Sequence, residues 1–313
     1  MIKVVASHNA LQATALAYEM LVEGSDALDA CVAAVTSVED NLDDLTVGRG
    51  GLPNEDGQVE LDAAVMHGPT HQAGAVACLR GICHAAQVAQ LVMQQTDHTM
   101  LAGEGALRFA LANGFPQENL LSDKARRLWL HWKRIRSSMD DWLDPGDDEI
   151  DEDIKKFFSR YTGTVHVAAM DNRGDISCVT STSGLAFKLP GRIADSCVIG
   201  SGLYVDNRIG SCGSTGRGEA SMGDVVSFAA VELMRSGMPP QQAGLAVLRR
   251  VVGHAPARLL DENDRPRFDL RLFLLGSDGT HAGLSIWGPK KYAVTDEQGT
   301  RLVEGKFLYE REK

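Results

Sequence analysis

The chain has 313 residues, 44% hydrophobic and 23% charged, which is typical of a folded protein with a substantial core. Its formal net charge of −11 disfavours nucleic acids and anionic membranes as partners, because like charges repel. No apolar run reaches the roughly 20 residues of a membrane helix, and the N-terminus lacks the apolar segment of a secretory signal, so a cytoplasmic location is predicted.

The cysteines and histidines do not suggest a metal centre. The six cysteines lie among apolar and small residues without a CxxC pair, which predicts reduced thiols in the core. His67 and His71 have helical spacing, but the Gly and Pro between them disfavour a helix. We therefore expect neither a metal nor a cofactor.

The first 40 residues are predicted to form a short β-like run and then two helices. Apolar residues at helical spacing predict helices over residues 10–23 and 26–40. Gly24 is expected to end the first helix and Ser25 to cap the second.

The following segment alternates predicted strands and helices. The turn-rich GRGGLPNEDG at residues 48–57 leads into a predicted strand, VELDAAVM, and GAVACL is predicted to be another strand. Helical patterns follow at about 84–94 and 104–112, and Gly114 is a stop signal.

A helix and an acidic segment complete the first half. Ser122 is expected to cap a helix that carries Trp129 and Trp132. Nine of the fifteen residues 139–153 are Asp or Glu, so their mutual repulsion predicts a solvated linker at about 139–160.

The second half is predicted to start with a β-hairpin. The strands TVHVAAMD and DISCVTST flank the turn NRG, where Gly174 suits the positive φ that such turns require. An apolar strand, VIGSG, and the glycine-rich segment IGSCGSTGRGEASMGD follow.

Helices and strands are predicted for the remainder. Two helices run through about 218–253, separated by Gly237-Met238-Pro239, and three strands follow: FDLRLFLLG, HAGLSIW and KYAVTD. Sheets covered by helices define an α+β architecture, which we assign to one domain over residues 1–313.

Several common catalytic motifs are absent from the sequence. It has no G-x-S-x-G, no local cysteine-protease signature and no Walker loop. A threonine exposed by a chain cut would need no partner histidine, since its own α-amine, with a pKa of about 7.7–8.0, activates its hydroxyl. Gly163-Thr164 is such a junction after the acidic linker, although a threonine that opens a strand is usually only a strand former.

Four ordered motifs downstream of Thr164 strengthen the catalytic hypothesis. They are TSTSG, GRIADS, GSGLYVDN and STGRGE, and the upstream segments SDALDA, VGRGGLPNEDGQVELDAAVM, GAVACL and HTMLAGEGALRFALANGF match as well. In order and spacing the chain resembles the glycosylasparaginases and their cousins, the plant-type asparaginases and isoaspartyl peptidases. These are N-terminal-nucleophile hydrolases, and the resemblance covers almost the whole chain.

The resemblance implies a self-cleavage junction at Gly163-Thr164, which would leave chains 1–163 and 164–313. Thr164 would be the nucleophile, and Thr182 would hydrogen-bond beside it and tune its amine. The Thr215 hydroxyl and the Gly216 N–H would form the oxyanion hole. Taken singly, Thr182 is equally a sheet threonine, and Gly213–Gly218 an ordinary turn or a phosphate-binding nest.

The resemblance also implies a pair of residues that binds the substrate's zwitterionic end. Arg192 would hold the α-carboxylate of an asparagine-like substrate, and Asp195 would receive its α-ammonium. The alternative is a surface ion pair between these two residues.

Three positions depart from the glycosylasparaginase pattern. Gly163 replaces the usual Asp before the nucleophile, as in plant-type asparaginases. His166 stands where Gly is common; it would be a packed histidine, or it would narrow the site or add a titrating group. Ala6-Ser7-His8 replaces a Ser-Thr-Trp segment whose Trp lines the substrate site. The sequence therefore does not identify which asparagine derivative is the substrate.

The resemblance implies a four-layer αββα sandwich that matures into a homodimer of αβ units. The predicted activity is hydrolysis of the side-chain amide of L-asparagine derivatives to L-aspartate, as in N4-(β-N-acetylglucosaminyl)-L-asparaginases. Two alternatives remain. One is an L-asparaginase or β-aspartyl peptidase, and the other is a ligand-binding relative that never matures.

Overall fold

The computed structural model describes residues 1–136 and 163–311, so the predicted linker at about 139–160 lies outside the described residues. The α-helices within those ranges are α1, Leu11–Val22; α2, Ala27–Glu39; α3, Ala85–Gln95; α4, Gly103–Ala112; α5, Asp123–Arg136; α6, Gly218–Asp224; α7, Val226–Arg235; and α8, Pro240–Gly253. None of the described helices is long and apolar enough to cross a membrane.

The strands form two sheets. In chain order they are β1, Lys3–Ala6; β2, Leu61–His67; β3, Gln72–Leu79; β4, Met100–Ala102; β5, Val165–Met170; β6, Ile176–Thr182; β7, Leu203–Asp206; β8, Gly210–Gly216; β9, Leu270–Gly276; β10, His281–Gly288; β11, Lys291–Asp296; β12, Gly299–Glu304; and β13, Lys306–Glu310. One sheet has eight strands in the order β12-β11-β1-β5-β6-β2-β3-β4, and the other has five in the order β13-β10-β9-β8-β7. The pairs β3–β4 and β10–β13 are parallel.

Strand β5 is buried on both faces. Val165 and Val167 pack with helices α1, α2 and α3. Ala168 and Met170 pack with Phe273 and other apolar residues of the five-stranded sheet. Because successive side chains of a strand point to opposite faces, the even-numbered residues of β5 face the second sheet.

Helices α7 and α8 cover the five-stranded sheet on its other face. Val231 and Val247 pack there with Leu272 and Leu274 of β9. Full burial of each such side chain stabilises the folded state by about 1.5–3 kcal/mol. Both faces of this sheet therefore contribute to the stability of the fold.

The predicted hairpin and several helix ends are confirmed. β5 and β6 pair antiparallel, and Gly174 in the turn between them has φ of +91°. The Ser122 hydroxyl accepts a hydrogen bond from the Ala125 N–H at 3.2 Å at the start of α5. The predicted core thiols are also confirmed, since all six cysteines are free and all but Cys78 are buried.

Three local predictions are wrong. Helix α2 is capped by Asp26 rather than Ser25, because the Asp26 carboxylate accepts the Leu28 N–H at 2.7 Å. The segment VIGSG is a turn rather than a strand: the Ser201 and Gly202 N–H groups both bond to the carbonyl of Val198. The first helix predicted over 218–253 is two helices, α6 and α7, because Val225 between them has φ of +48°.

Five strands were not predicted: β4, β7, β8, β12 and β13. β4 is only three residues long, and β12 at the sheet edge is largely exposed. β13 joins the second sheet beside β10, with its side chains exposed or only partly buried. These three segments lack a clear pattern of alternating apolar residues, and β8, Gly210–Gly216, consists of glycine, serine, cysteine and threonine, which hid its strand character.

Candidate active site

Strands β5 and β8 face each other at His166 and Gly213, where a Cβ atom on Gly213 would overlap the imidazole ring. At the far end of β5, Met170 reaches the turn at Gly279 that follows β9. Gly276 at the end of β9 is opposite Gly210, so the turn at Gly279 lies near the start of β8. The start of β5 and the end of β8 are the strand ends that lie away from this turn. These two strand ends therefore lie at the same end of the facing sheets.

Three of the predicted site residues lie at this end. Thr164 is two residues before His166, and Thr215 is two residues after Gly213, so strand alternation directs both toward the facing sheet. Thr182 ends β6, the neighbour of β5, and accepts a hydrogen bond from the Thr164 hydroxyl at 3.3 Å. The structure thus brings together the three predicted threonines.

A short chain of hydroxyl groups surrounds the predicted junction. The buried Thr182 hydroxyl lies 3.1 Å from the carbonyl oxygen of Gly163, to which it can donate, and 3.3 Å from that of Thr46. It also accepts the Gly184 N–H at 3.0 Å. This arrangement polarises the carbonyl immediately before Thr164 and orders the Thr164 hydroxyl beside it.

Thr46 packs against the junction, and sequence reasoning missed it. Its N–H and its hydroxyl both donate to Asp44, and Asp44 also accepts the Asn9 side-chain N–H at 2.8 Å. A Cβ atom on Gly163 would overlap the Thr46 side chain. No motif signalled this contact, because the two residues are far apart in the chain.

Arg192 lies between the loops that follow β6 and β8. A Cβ atom added to Gly184 would lie 3.4 Å from the Arg192 Nη1, and one added to Gly218 would lie 3.0 Å from its Nη2. Glu219 accepts hydrogen bonds from its Nε at 3.0 Å and its Nη2 at 2.9 Å. The guanidinium is therefore fixed in direction beside two glycines, where a carboxylate can approach.

Asp195 is only 2% exposed, and its carboxylate accepts the Ser214 hydroxyl at 2.5 Å. Burial raises its pKa, while hydrogen bonds from Ser214 and Ser221 and the charge of Arg192 oppose that rise. The alternative of a surface ion pair with Arg192 is wrong, since Arg192 pairs with Glu219. A buried carboxylate held by hydroxyl groups suits an incoming ammonium group.

Thr215 and Gly216 end strand β8, so the alternative of a turn or nest at this point is wrong. Thr215 is opposite Arg271 in the register of β8 and β9. Gly216 has φ of +125°, and a Cβ there would overlap the carbonyl of Asp269. Only glycine fits this position, where the backbone leaves the strand toward α6.

His166 is a packed histidine, which decides among the three roles considered for it. It is fully buried, its Nδ1 lies 2.9 Å from the Thr180 hydroxyl, and its ring stacks on Phe273. Burial lowers its pKa to about 3. The ring is therefore neutral near pH 7 and adds no titrating group there.

A buried charge cluster supports the loop that carries Arg192 and Asp195, and sequence reasoning missed it too. The Lys188 ammonium lies 3.7 Å from Asp62 and 3.9 Å from Glu60. Asp62 accepts the Ala194 N–H at 2.9 Å, and Glu60 accepts the Gly191 N–H at 3.3 Å. The cluster thus anchors the backbone on both sides of Arg192.

In the described part of the chain, one group of side chains has the spacing of metal ligands: Asp40, Cys83 and His84. His84 Nε2 lies 3.1 Å from Asp40, and the Cys83 thiol donates to the Glu39 carbonyl at 3.3 Å. Arg49 lies 3.6 Å from the same Asp40 oxygen and disfavours a cation there. The group has internal partners without a metal.

The site combines a threonine at a glycine junction with two further threonines and an Arg/Asp pair on one α+β framework of two sheets. The chain matches the family model described as asparaginase over residues 3–258, and it belongs to that family.

Named relatives are similar over most of their length. The N(4)-(β-N-acetylglucosaminyl)-L-asparaginase of Elizabethkingia miricola is 35% identical over 93% of this chain and 80% of its own. The probable isoaspartyl peptidase/L-asparaginase 3 of Arabidopsis thaliana is 32% identical, covering 91% and 84%. The isoaspartyl peptidase/L-asparaginase of Xenopus laevis is 36% identical, covering 75% and 73%.

Proposed function

We propose that this protein is a self-processing amidohydrolase that releases L-aspartate from the side-chain amide of L-asparagine derivatives. The observation that carries the proposal is the Thr164 hydroxyl, hydrogen-bonded to Thr182 directly after Gly163 and at the same end of the sheets as Thr215. Membership of the asparaginase family and the names of the relatives support it. We further propose that the fold is a four-layer αββα sandwich, which the packing of helices on both sheets supports.

Maturation starts at the Gly163-Thr164 bond. The Thr164 hydroxyl adds to the Gly163 carbonyl carbon, while the Thr182 hydroxyl, 3.1 Å from the carbonyl oxygen, stabilises the developing negative charge. The peptide nitrogen leaves as the Thr164 amine, and an ester joins Gly163 to the Thr164 oxygen. Water then hydrolyses the ester and leaves chains 1–163 and 164–313.

The freed amine of Thr164 is the base for the second reaction. It takes the proton of the Thr164 hydroxyl as the oxygen attacks the side-chain carbonyl of the substrate. Thr215 and Gly216 stabilise the oxyanion, and the amide nitrogen leaves with a proton from the Thr164 ammonium. Water hydrolyses the β-aspartyl ester to free L-aspartate.

Arg192 and Asp195 select the substrate. The Arg192 guanidinium binds the α-carboxylate, and the buried Asp195 carboxylate binds the α-ammonium. Together they distinguish free asparagine derivatives from asparagine within a peptide chain, which lacks both charges.

Release of L-aspartate from L-asparagine, from a β-aspartyl dipeptide and from N-acetylglucosaminyl-asparagine tests the proposal. The wild-type protein is expected to release aspartate from at least one of them, and Thr164→Ala from none. Thr300→Ala, an exposed threonine of β12, is the matched control and should retain full activity. Full activity of Thr164→Ala would refute the proposal.

A further inference from the structure

The charged cluster that contacts the loop carrying Arg192 and Asp195 contains as many positive as negative groups. It is formed by Glu60, Asp62, Arg80 and Lys188. The side chains of the two acids and of Lys188 are at most 1% exposed, whereas that of Arg80 is 50% exposed. Because water screens Arg80, the charge of the buried acids is balanced chiefly by Lys188.

Lys188 contributes charge rather than the hydrogen bonds that hold the loop. Its ammonium donates to the backbone carbonyl of Glu60 at 3.3 Å, but it lies 3.7 Å from the carboxylate of Asp62 and 3.9 Å from that of Glu60. Asp62 accepts the backbone N–H groups of Cys78 and Ala194 instead, at 2.8 and 2.9 Å. These backbone contacts therefore do not depend on the ammonium.

Gly184 brings the ammonium of Lys188 close to Arg192. A Cβ atom added to this glycine would lie 2.8 Å from the Lys188 Nζ and 3.4 Å from the Arg192 Nη1. Burial raises the pKa of Asp62, and the charges of Lys188 and Arg192 oppose that rise. The Asp62 carboxylate therefore attracts both cations.

We propose that Lys188 is a positioning residue for substrate binding, because its charge offsets the buried acids and leaves Arg192 available to the α-carboxylate of the substrate. Without Lys188, an uncompensated negative charge would attract Arg192 and repel that carboxylate. This inference rests on the proposed function for the identity of the ligand. The charge of Lys188 then determines how tightly the substrate binds and has no part in chain cleavage, which uses Thr164 and Thr182.

Three variants separate the charge of the cluster from its packing. Lys188→Met removes the positive charge and keeps an unbranched side chain. Glu60→Gln removes one negative charge and keeps an oxygen that can accept from Arg80. The double variant restores the charge balance. The matched controls are Lys306→Met and Glu310→Gln, at exposed positions of β13.

The ligand for the binding measurement is L-aspartate, which carries both the α-carboxylate and the α-ammonium. Calorimetry gives its Kd at pH 8, where the ionised form of Asp62 is favoured, and at low ionic strength, where charges are least screened. Intact mass follows chain cleavage, and KM and kcat are measured with L-asparagine. Binding, cleavage and turnover are thus observed separately.

Lys188→Met is expected to raise the Kd for L-aspartate and the KM for L-asparagine about tenfold, with kcat and chain cleavage close to those of the wild type. Glu60→Gln should change Kd in the opposite direction, lowering it about threefold. The double variant should bind like the wild type, and neither control should change binding.

A role in packing alone predicts that both single variants weaken binding and that the double variant is the weakest, and this result would overturn the proposal. An unchanged Kd in Lys188→Met would also overturn it. If Lys188→Met does not fold, the direction of the Glu60→Gln effect decides. Wild-type protein that binds L-aspartate but neither cleaves its chain nor hydrolyses any asparagine derivative would refute the proposed function alone, and wild-type protein that does not bind L-aspartate would overturn both.

Discussion

Thr46 occupies the space that a side chain on Gly163 would need, and so the residue before Thr164 is glycine. Thr46 is itself fixed by two hydrogen bonds to Asp44. The Asp that glycosylasparaginases usually have before the nucleophile does not fit here without movement of this loop. The structure thus gives a physical reason for one departure from the family pattern.

Gly163→Ala is therefore expected to destabilise the protein by about 1–3 kcal/mol and to slow cleavage, because the new methyl group overlaps Thr46. Thermal unfolding and the rate of chain cleavage check both effects. Thr46→Gly in the same chain should restore much of the lost stability. Gly105→Ala, in α4 with open space around it, is the matched control and should be neutral or stabilising.

The contact between His166 and Gly213 predicts strong coupling between the two positions. Gly213→Ala should cost about 1–3 kcal/mol, because its methyl group overlaps the imidazole. His166→Ala removes that overlap, so the double variant should be more stable than the sum of the single losses predicts. Urea unfolding of the four proteins measures the coupling, and additive losses would contradict the contact.

Asp195 predicts a pH dependence of substrate binding. Burial holds its pKa above the ordinary value of 3.8, so its negative charge is lost as the pH falls through that raised value. Under the proposed function, loss of that charge weakens binding of the α-ammonium. Ser214→Ala removes a hydrogen bond that lowers this pKa, so KM should start to rise at a higher pH than in the wild type. The measurement is KM as a function of pH between 4 and 8 for the wild type and Ser214→Ala, with kcat measured alongside. An unchanged profile would contradict the role of Ser214.

Glu39 predicts a dependence of stability on pH. It is fully buried, accepts hydrogen bonds from Ser181 at 2.6 Å and the Ala86 N–H at 3.0 Å, and has one oxygen without a partner. Burial raises its pKa from 4.5 to about 8, so the folded state binds this proton more tightly than the unfolded state. Its contribution is present below pH 4.5 and is lost as the pH rises toward 8.

Glu39→Gln keeps the shape of the protonated side chain but cannot ionise. The variant should therefore gain thermal stability relative to the wild type as the pH rises from 5 to 8. Asp56→Asn is the control. Asp56 is an exposed carboxylate on the loop before β2, so this variant should not gain thermal stability over the wild type as the pH rises. Equal melting temperatures of wild type and Glu39→Gln across this range would contradict the buried, protonated state.

Local patterns predicted much of the fold, and the resemblance to a known family implied the site positions. The hairpin that follows Thr164, the main helices and the positive φ of Gly174 depend on neighbouring residues, which a single sequence displays. The positions of Thr164, Arg192 and Asp195 were implied by the resemblance of the ordered motifs to those of the glycosylasparaginases. Their placement in catalysis is still a prediction.

Contacts between distant parts of the chain could not be predicted in this way. Thr46 against Gly163 and His166 against Gly213 depend on how two loops and two sheets approach each other. The support of Arg192 by Lys188 and Asp62 also joins separate segments. Periodicity reports which face of an element is buried, but it does not report what that face meets.

The intact mass of the purified protein after one day at neutral pH tests self-cleavage between Gly163 and Thr164. We expect two chains, residues 1–163 and 164–313, the second with a free Thr164 amine, while Thr164→Ala stays whole. A single chain of 33.7 kDa that remains uncut would leave Thr164 without its base and would contradict the proposed mechanism.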